Sequence, residues 1–155
     1  MKIVKILVGL ILVVGFVLAL VAPVGPLPGF FIGGDKTPAP AKWMDTSSVD
    51  EIKLKVPGAL PRVVIIWVIE YNEELHVVGA SDSGWVSMLG EGGAVEMRLG
   101  EATYALTAER VTDDLSGVLT AYVDKYRAGY PDIVAGFPSL EEGTEGFSVF
   151  RLNRP

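Results

Sequence analysis

The sequence predicts a mainly β (α+β) chain: a closed or nearly closed barrel of about six antiparallel strands with one long helix, preceded by an N-terminal transmembrane helix. Three observations carry this. Apolar or alternating segments recur between turn residues from about position 49 onward. Only one long helical stripe lies among them, too little helix for the crossovers of a parallel sheet. Residues 6–22 contain no charged side chain.

That first apolar run is seventeen residues long. At about 1.5 Å per residue it reaches roughly 26 Å, just short of the ~30 Å hydrocarbon core, and Ile3 and Val4 make up the difference. Lys2 and Lys5 flank it, which under the positive-inside rule puts the N-terminus in the cytoplasm and the rest outside. The expected lipid contact is residues 3–22, in a single-pass protein. A cleaved signal peptide and a buried core helix are the competing readings; the small-x-small cleavage pattern is poor, with Leu20, Ala22 and Pro23 in the key places.

The division expected is an anchor over 1–22, a Pro/Gly-rich linker over 23–48 and a folded domain over 49–155. Pro23 ends the first helix because proline cannot continue one. Leu27, Phe30, Phe31 and Ile32 are apolar enough to sit in an interface or under a partner; a free linker is the plainer option. Residues 37–41 look like an extended spacer.

Residues 1–34 carry only Lys2 and Lys5, leaving eleven basic against nineteen acidic residues in the rest of the chain. An acidic domain has no basic patch for phosphate backbones, so no nucleic acid is expected. Cysteine is absent, which removes disulfides and thiolate metal sites.

Lys53 and Lys55 alternate with Ile52, Leu54 and Val56, the period of a half-buried strand. PGALP turns the chain, and RVVIIWVIEY (62–71), β-branched and apolar on both faces, reads as a central strand. Asn72-Glu73-Glu74 turns into LHVVGA. A second hairpin follows: Val95, Met97 and Leu99 alternate with charges, Gly100-Glu101 turns, and ATYALTAERV returns. Thr112 can cap a helix whose start carries Asp113 and Asp114. Leu115, Val118, Leu119, Tyr122, Val123 and Tyr126 then recur at three and four. Gly129 and Pro131 stop it, EEGTEG (141–146) loops, and FSVFRL is the last strand.

Few residues offer chemistry. His76 is the single histidine and reads as a solvent-facing or hydrogen-bonded structural residue. With no cysteine, zinc sites, haem ligation and nucleophilic triads lack parts, and no metal is expected. The acidic pairs fall at turns and a helix start, and GEGG (90–93) is no nucleotide motif. SDSGW is more informative: Ser81, Ser83 and the amides near Gly84 could cup an anion. The competing reading is a turn whose Trp85 plugs the barrel end, with Trp85, Met88 and Leu89 on one face.

VVGASDSG, WVSML, GEGGAVEMRL, GEATYAL, TAERV, AYVDKYRAGYPD and FSVFRL occur in that order. This succession resembles the split β-barrel flavin- and deazaflavin-binding superfamily, most closely its deazaflavin-dependent nitroreductase-like group, over residues 54–152. The resemblance implies FMN or a deazaflavin as cofactor, or none if the site is lost. It implies a cofactor loop of Ser81, Ser83, Gly84 and Trp85, with Arg62 as the basic contact. Tyr126 or Tyr130 would orient substrate or donate a proton. The function implied is a membrane-anchored oxidoreductase-like protein reducing a quinone-like or other apolar substrate. The other function expected is a non-catalytic accessory or binding subunit of a membrane assembly. A homodimer is compatible with both.

Overall fold

Arg62–Tyr71 (β3) and Glu74–Ala80 (β4) form the hairpin the sequence announces. Asn72 and Glu73 both take positive φ (52° and 66°), the two-residue turn whose twist suits a tight hairpin. Around it lie Glu51–Val56 (β2), Gly92–Leu99 (β5), Ala102–Arg110 (β6) and Phe147–Asn153 (β7). The strands run β6-β5-β2-β3-β4-β7, every neighbour antiparallel, and β7 pairs back with β6 from Thr107–Asn153 to Arg110–Phe150. Closure disposes of the exposed edges. The architecture is therefore a six-stranded antiparallel barrel, with one extra strand, Asp35–Lys36 (β1), parallel to β6. This computed structural model describes residues 2–21, 23–25, 27–137 and 144–155; within Lys2–Val21 (α1) it describes the side chains of 3–17. Residues 141–143 of the expected acidic loop lie outside the described residues.

Inward positions alternate along each strand: Leu54 and Val56, Leu75 and Val77, Val95 and Met97, Leu106 and Ala108, Phe150 and Leu152. Gly84–Leu89 (α2) lowers Trp85, Val86 and Leu89 into this core beside the Ala80 end of β4. Trp43 enters it near the Glu74 end, where Arg154 lies over its ring. Two tryptophans thus help fill opposite ends. Residues 29–46 lie against the barrel. Gly29 exchanges two backbone hydrogen bonds with Val63 (2.8 and 2.7 Å), and the Thr103 hydroxyl donates to the Gly33 carbonyl (2.6 Å).

Leu115–Arg127 (α3) covers the outer face of β3 and β4 with Val118, Leu119, Tyr122 and Tyr126, the expected stripe. Its cap differs from expectation. Asp114, not Thr112, occupies the N-cap in a left-handed conformation, and its carboxylate accepts from the Tyr71 hydroxyl at 2.6 Å. Pro131 stands in the first turn of a second short helix, Pro131–Ala135 (α4).

Among the described residues no helix is long and apolar enough to cross a membrane. This overturns the expected transmembrane helix and, with it, the single-pass placement with a cytoplasmic N-terminus and the domain outside. Lys5 interrupts the apolar run, and the uncharged part of α1, residues 6–21, reaches only about 24 Å, less than the ~30 Å hydrocarbon thickness.

Candidate functional site

β4 pairs with β3 only from Val68–Val77 to Tyr71–Glu74, so the barrel splits beyond Val68. At the start of β3, Gly29 bridges Val63 along the backbone. α2 follows β4 after the loop 81–83 and brings Gly84 against the Arg62 guanidinium, so closely that a Cβ at 84 would collide with it. Among the described residues no carboxylate pairs with Arg62 and no hydrogen bond uses its guanidinium. Beside Gly84, the Ser83 hydroxyl is buried without a partner. Buried polar groups are nearly always bonded, so an orphan beside a vacant cation marks a place where an acceptor fits.

The neighbouring serine is spent. Ser81 Oγ donates to the Glu145 carbonyl (3.1 Å) and lies 3.1 Å from Ser148 Oγ. One hydroxyl has one proton, so Ser148 donates to Ser81 and itself accepts from Arg110 Nη1 (2.8 Å). Arg110 also donates through Nε and Nη2 to the Gly90 carbonyl, at 3.1 and 2.9 Å, and lies 5.0 Å over Phe150. This chain pins the loop to β7. Sequence reasoning missed Arg110, although Leu106 and Ala108 point inward and alternation puts a cation at the next inward position.

Trp85 is 8% exposed, its ring tilted against Phe150 (5.6 Å) and packed over Gly79, where any Cβ would strike it. It plugs the barrel end. Of the five residues expected to hold a cofactor, Arg62, Ser83 and Gly84 come together; Ser81 and Trp85 serve the fold beside them.

The expected catalytic tyrosines lie elsewhere, on the α3 face. Tyr126 stacks on Trp67 (4.1 Å, 12° between planes), and its hydroxyl accepts from the Val68 amide (2.9 Å) and lies 2.7 Å from the Asp50 and Val68 carbonyls. Burial pushes its phenol well above the usual range. Tyr130 donates to Asp50 Oδ2 at 3.0 Å, a bond that raises its proton affinity. Val68 is six residues along β3 from Arg62, roughly 20 Å. The two predicted groups do not form one site.

Lys125 stays on the same face, donating to the Thr46, Val49 and Val68 carbonyls (3.1, 2.7 and 2.7 Å). Desolvation lowers its pKa, and Asp50, Asp45 and Glu70 oppose that. His76 is hydrogen-bonded and structural, as expected: it is 4% exposed, with Nδ1 3.1 Å from the Glu74 carbonyl. Burial lowers its pKa. It lines a polar cavity of about 200 Å³ with Tyr71, Asp113, Asp114 and Arg151.

Two further hollows flank the Arg62 corner. A cleft of about 180 Å³ is lined by Pro28, Gly29, Phe30, Leu60, Pro61 and Arg62. A groove of about 380 Å³ crosses the outer face of β2, β5 and β6 over Lys55, Ala94, Glu96, Ala105 and Thr107. Lys55 is paired there with Glu96 at 2.5 Å.

No protein-family model and no curated protein matches the chain. Among solved structures it is similar to HutZ, the heme storage protein from Vibrio cholerae, at 16% identity and a TM-score of 0.50, covering 68% of this chain and 82% of that one. It is also similar to a NimC/NimA family protein from Clostridium acetobutylicum, at 20% identity and a TM-score of 0.49, covering 66% and 73%. The likeness to HutZ establishes a split-barrel-like fold. The narrower deazaflavin nitroreductase-like group expected from the sequence receives no such support.

Proposed function

We propose that this protein is a cofactor-binding split barrel that holds the phosphate of FMN or a deazaflavin between Arg62, Ser83 and Gly84. A quinone-like or other apolar molecule would be reduced at that site. The observation that carries this reading is the vacant Arg62 guanidinium against Gly84, the residue that follows the orphaned Ser83 hydroxyl. A phosphate oxygen accepts from both, and charge-assisted bonds of this kind are about twice as strong as neutral ones.

The chain's own contribution is binding and orientation; hydride chemistry is what a flavin-type cofactor supplies when bound. Trp85 and Phe150 fill the barrel end and exclude water from it. The Arg110–Ser148–Ser81 chain holds the loop that carries Ser83. The outer groove, with small side chains at Ala94, Ala105 and Thr107, offers the open surface near the same end, since Lys55 pairs with Val63, next to Arg62. Neither Tyr126 nor Tyr130 is required.

Haem, the cargo in HutZ's name, fits less well. The single histidine is 4% exposed, so an iron would reach its Nε2 only by displacing the side chains packed around it.

A second reading, a non-catalytic accessory or binding subunit, is favoured by the filled barrel and by the fully engaged Tyr126 hydroxyl. Fluorescence titration with FMN and with a deazaflavin separates the two. Saturable binding, weakened at least tenfold by Arg62→Gln, supports the cofactor reading. A protein that binds neither but co-purifies with a stoichiometric partner supports the accessory one.

A further inference from the structure

We infer that the cleft beside Arg62 binds a single-chain amphiphile: an alkyl chain ending in an anionic head, phosphate or carboxylate. The cleft joins two unlike surfaces. Pro28, Phe30, Leu60 and Pro61 form apolar walls, and Arg62 closes one side with its cation. Phe30 is 50% and Leu60 73% exposed, a high exposure for large apolar side chains facing each other across a hollow.

The walls are held in place. Gly29 is hydrogen-bonded to Val63 on both sides, and Val24 and Leu27 exchange a further backbone pair at 3.1 and 3.0 Å. Pro61 is fixed by its own ring and by the strand that begins at Arg62. A ligand therefore meets a surface that costs little ordering.

Charge selects the head. Each of the other five arginines is paired: Arg98 with Glu101, Arg110 with Glu91, Arg127 with Asp124, Arg151 with Glu109 and Arg154 with Glu74. Arg62 has no such partner among the described residues, in a domain with an acidic excess. A neutral apolar molecule would leave that guanidinium unused. A bare anion would leave the walls wet. An anionic amphiphile uses both, and each methylene it buries strengthens binding roughly fourfold.

The inference goes beyond the cofactor reading and stands without it: the acidic head and a cofactor phosphate would compete for the same guanidinium.

The test is photo-crosslinking of the full chain with a diazirine-tagged decyl phosphate kept below its micelle concentration, mapped by peptide mass spectrometry. The matching tagged decyl alcohol is the control. We expect decyl phosphate to label residues 28–30 and 60–61 at least tenfold more than the alcohol does. Arg62→Gln should bring that labelling down to the alcohol's level while labelling of α1 stays constant. Leu60→Ser, which keeps the cation, should lower it as well. Equal labelling by the alcohol, indifference to Arg62→Gln, labelling confined to α1, or labelling only above the micelle concentration would each overturn the inference. FMN fluorescence, titrated in separate samples free of decyl phosphate, keeps the two ideas apart. Labelled cleft without FMN binding refutes the cofactor reading alone, and FMN binding with an unlabelled cleft refutes this one alone.

Discussion

Two faces of β3 treat their polar groups in opposite ways. On the α3 face everything is spent: Tyr126 bonds to the backbone of Val68 and Asp50, and the Lys125 ammonium is shared among three carbonyls. At the α2 corner the Arg62 guanidinium is left over and the Ser83 hydroxyl is orphaned. Buried polar groups are nearly always satisfied. Trp43 Nε1 and Glu74 Oε2, at the opposite end, are also without a partner among the described residues. What sets Ser83 apart is the unpaired cation against its neighbour Gly84. The α3 face, whose Tyr126 and Tyr130 the family resemblance implies as catalytic, engages both hydroxyls within the fold.

That contrast breaks most visibly at Tyr126. Tyr126→Ala removes a fully buried ring from its stack on Trp67 and empties two backbone bonds; chemical denaturation should show a loss of about 3–5 kcal/mol. A loss under about 1 kcal/mol would mean that the α3 face does not hold the fold.

Gly79→Ala should come next. A methyl there enters the Trp85 ring and also meets Val86 Cγ2 at 2.8 Å, so overpacking should cost about 1–3 kcal/mol by the same measurement. A neutral result would show that Trp85 is not a seated plug.

His76 sharpens the comparison through pH. Burial lowers its folded-state pKa below the ordinary ~6.5, with the Glu74 carbonyl opposing that and Arg151 adding to it. The unfolded chain then binds more protons in the window between the folded pKa and about 6.5. This contribution is complete above that window and is lost as pH falls through it. Melting temperatures from pH 7 to pH 5 should therefore fall less steeply for His76→Gln than for the native chain; identical slopes would remove His76 from the fold's acid sensitivity.

Smallest of all should be Ser83→Ala and Arg62→Gln without ligand. Neither deletes an internal bond, so both should stay within about 0.5 kcal/mol of the native chain. A larger loss from either would make the α2 corner structural and dissolve the contrast.

How far the sequence anticipates this varies with the range of the interaction. Local signals work: β3 occupies the expected 62–71, Gly100-Glu101 turns, and the stripe from Leu115 to Tyr126 is the buried face of α3. Long-range partners are invisible to such reasoning. The Asp114 cap depends on Tyr71, forty-three residues away, so the nearer Thr112 looks better locally. Strand β1 has two residues and no period to detect, and its pairing with β6 is a tertiary choice. The Pro/Gly-rich stretch over 23–48 reads as a linker because Gly29, Gly33 and Trp43 acquire partners only when the barrel forms. The site shows the same pattern. Arg62 and the SDSGW loop are legible as motifs, whereas only geometry tells the orphaned Ser83 from the engaged Ser81.

The most direct measurement is the thermal stability of the native chain and of Arg62→Gln, each with and without FMN. A ligand at a hundredfold its dissociation constant stabilises by about 2.7 kcal/mol. The native chain should show that rise, Arg62→Gln about 1.4 kcal/mol or less at the same FMN concentration, and the two should have equal ligand-free midpoints. No rise in the native chain, or an equal rise in both, would contradict the cofactor reading.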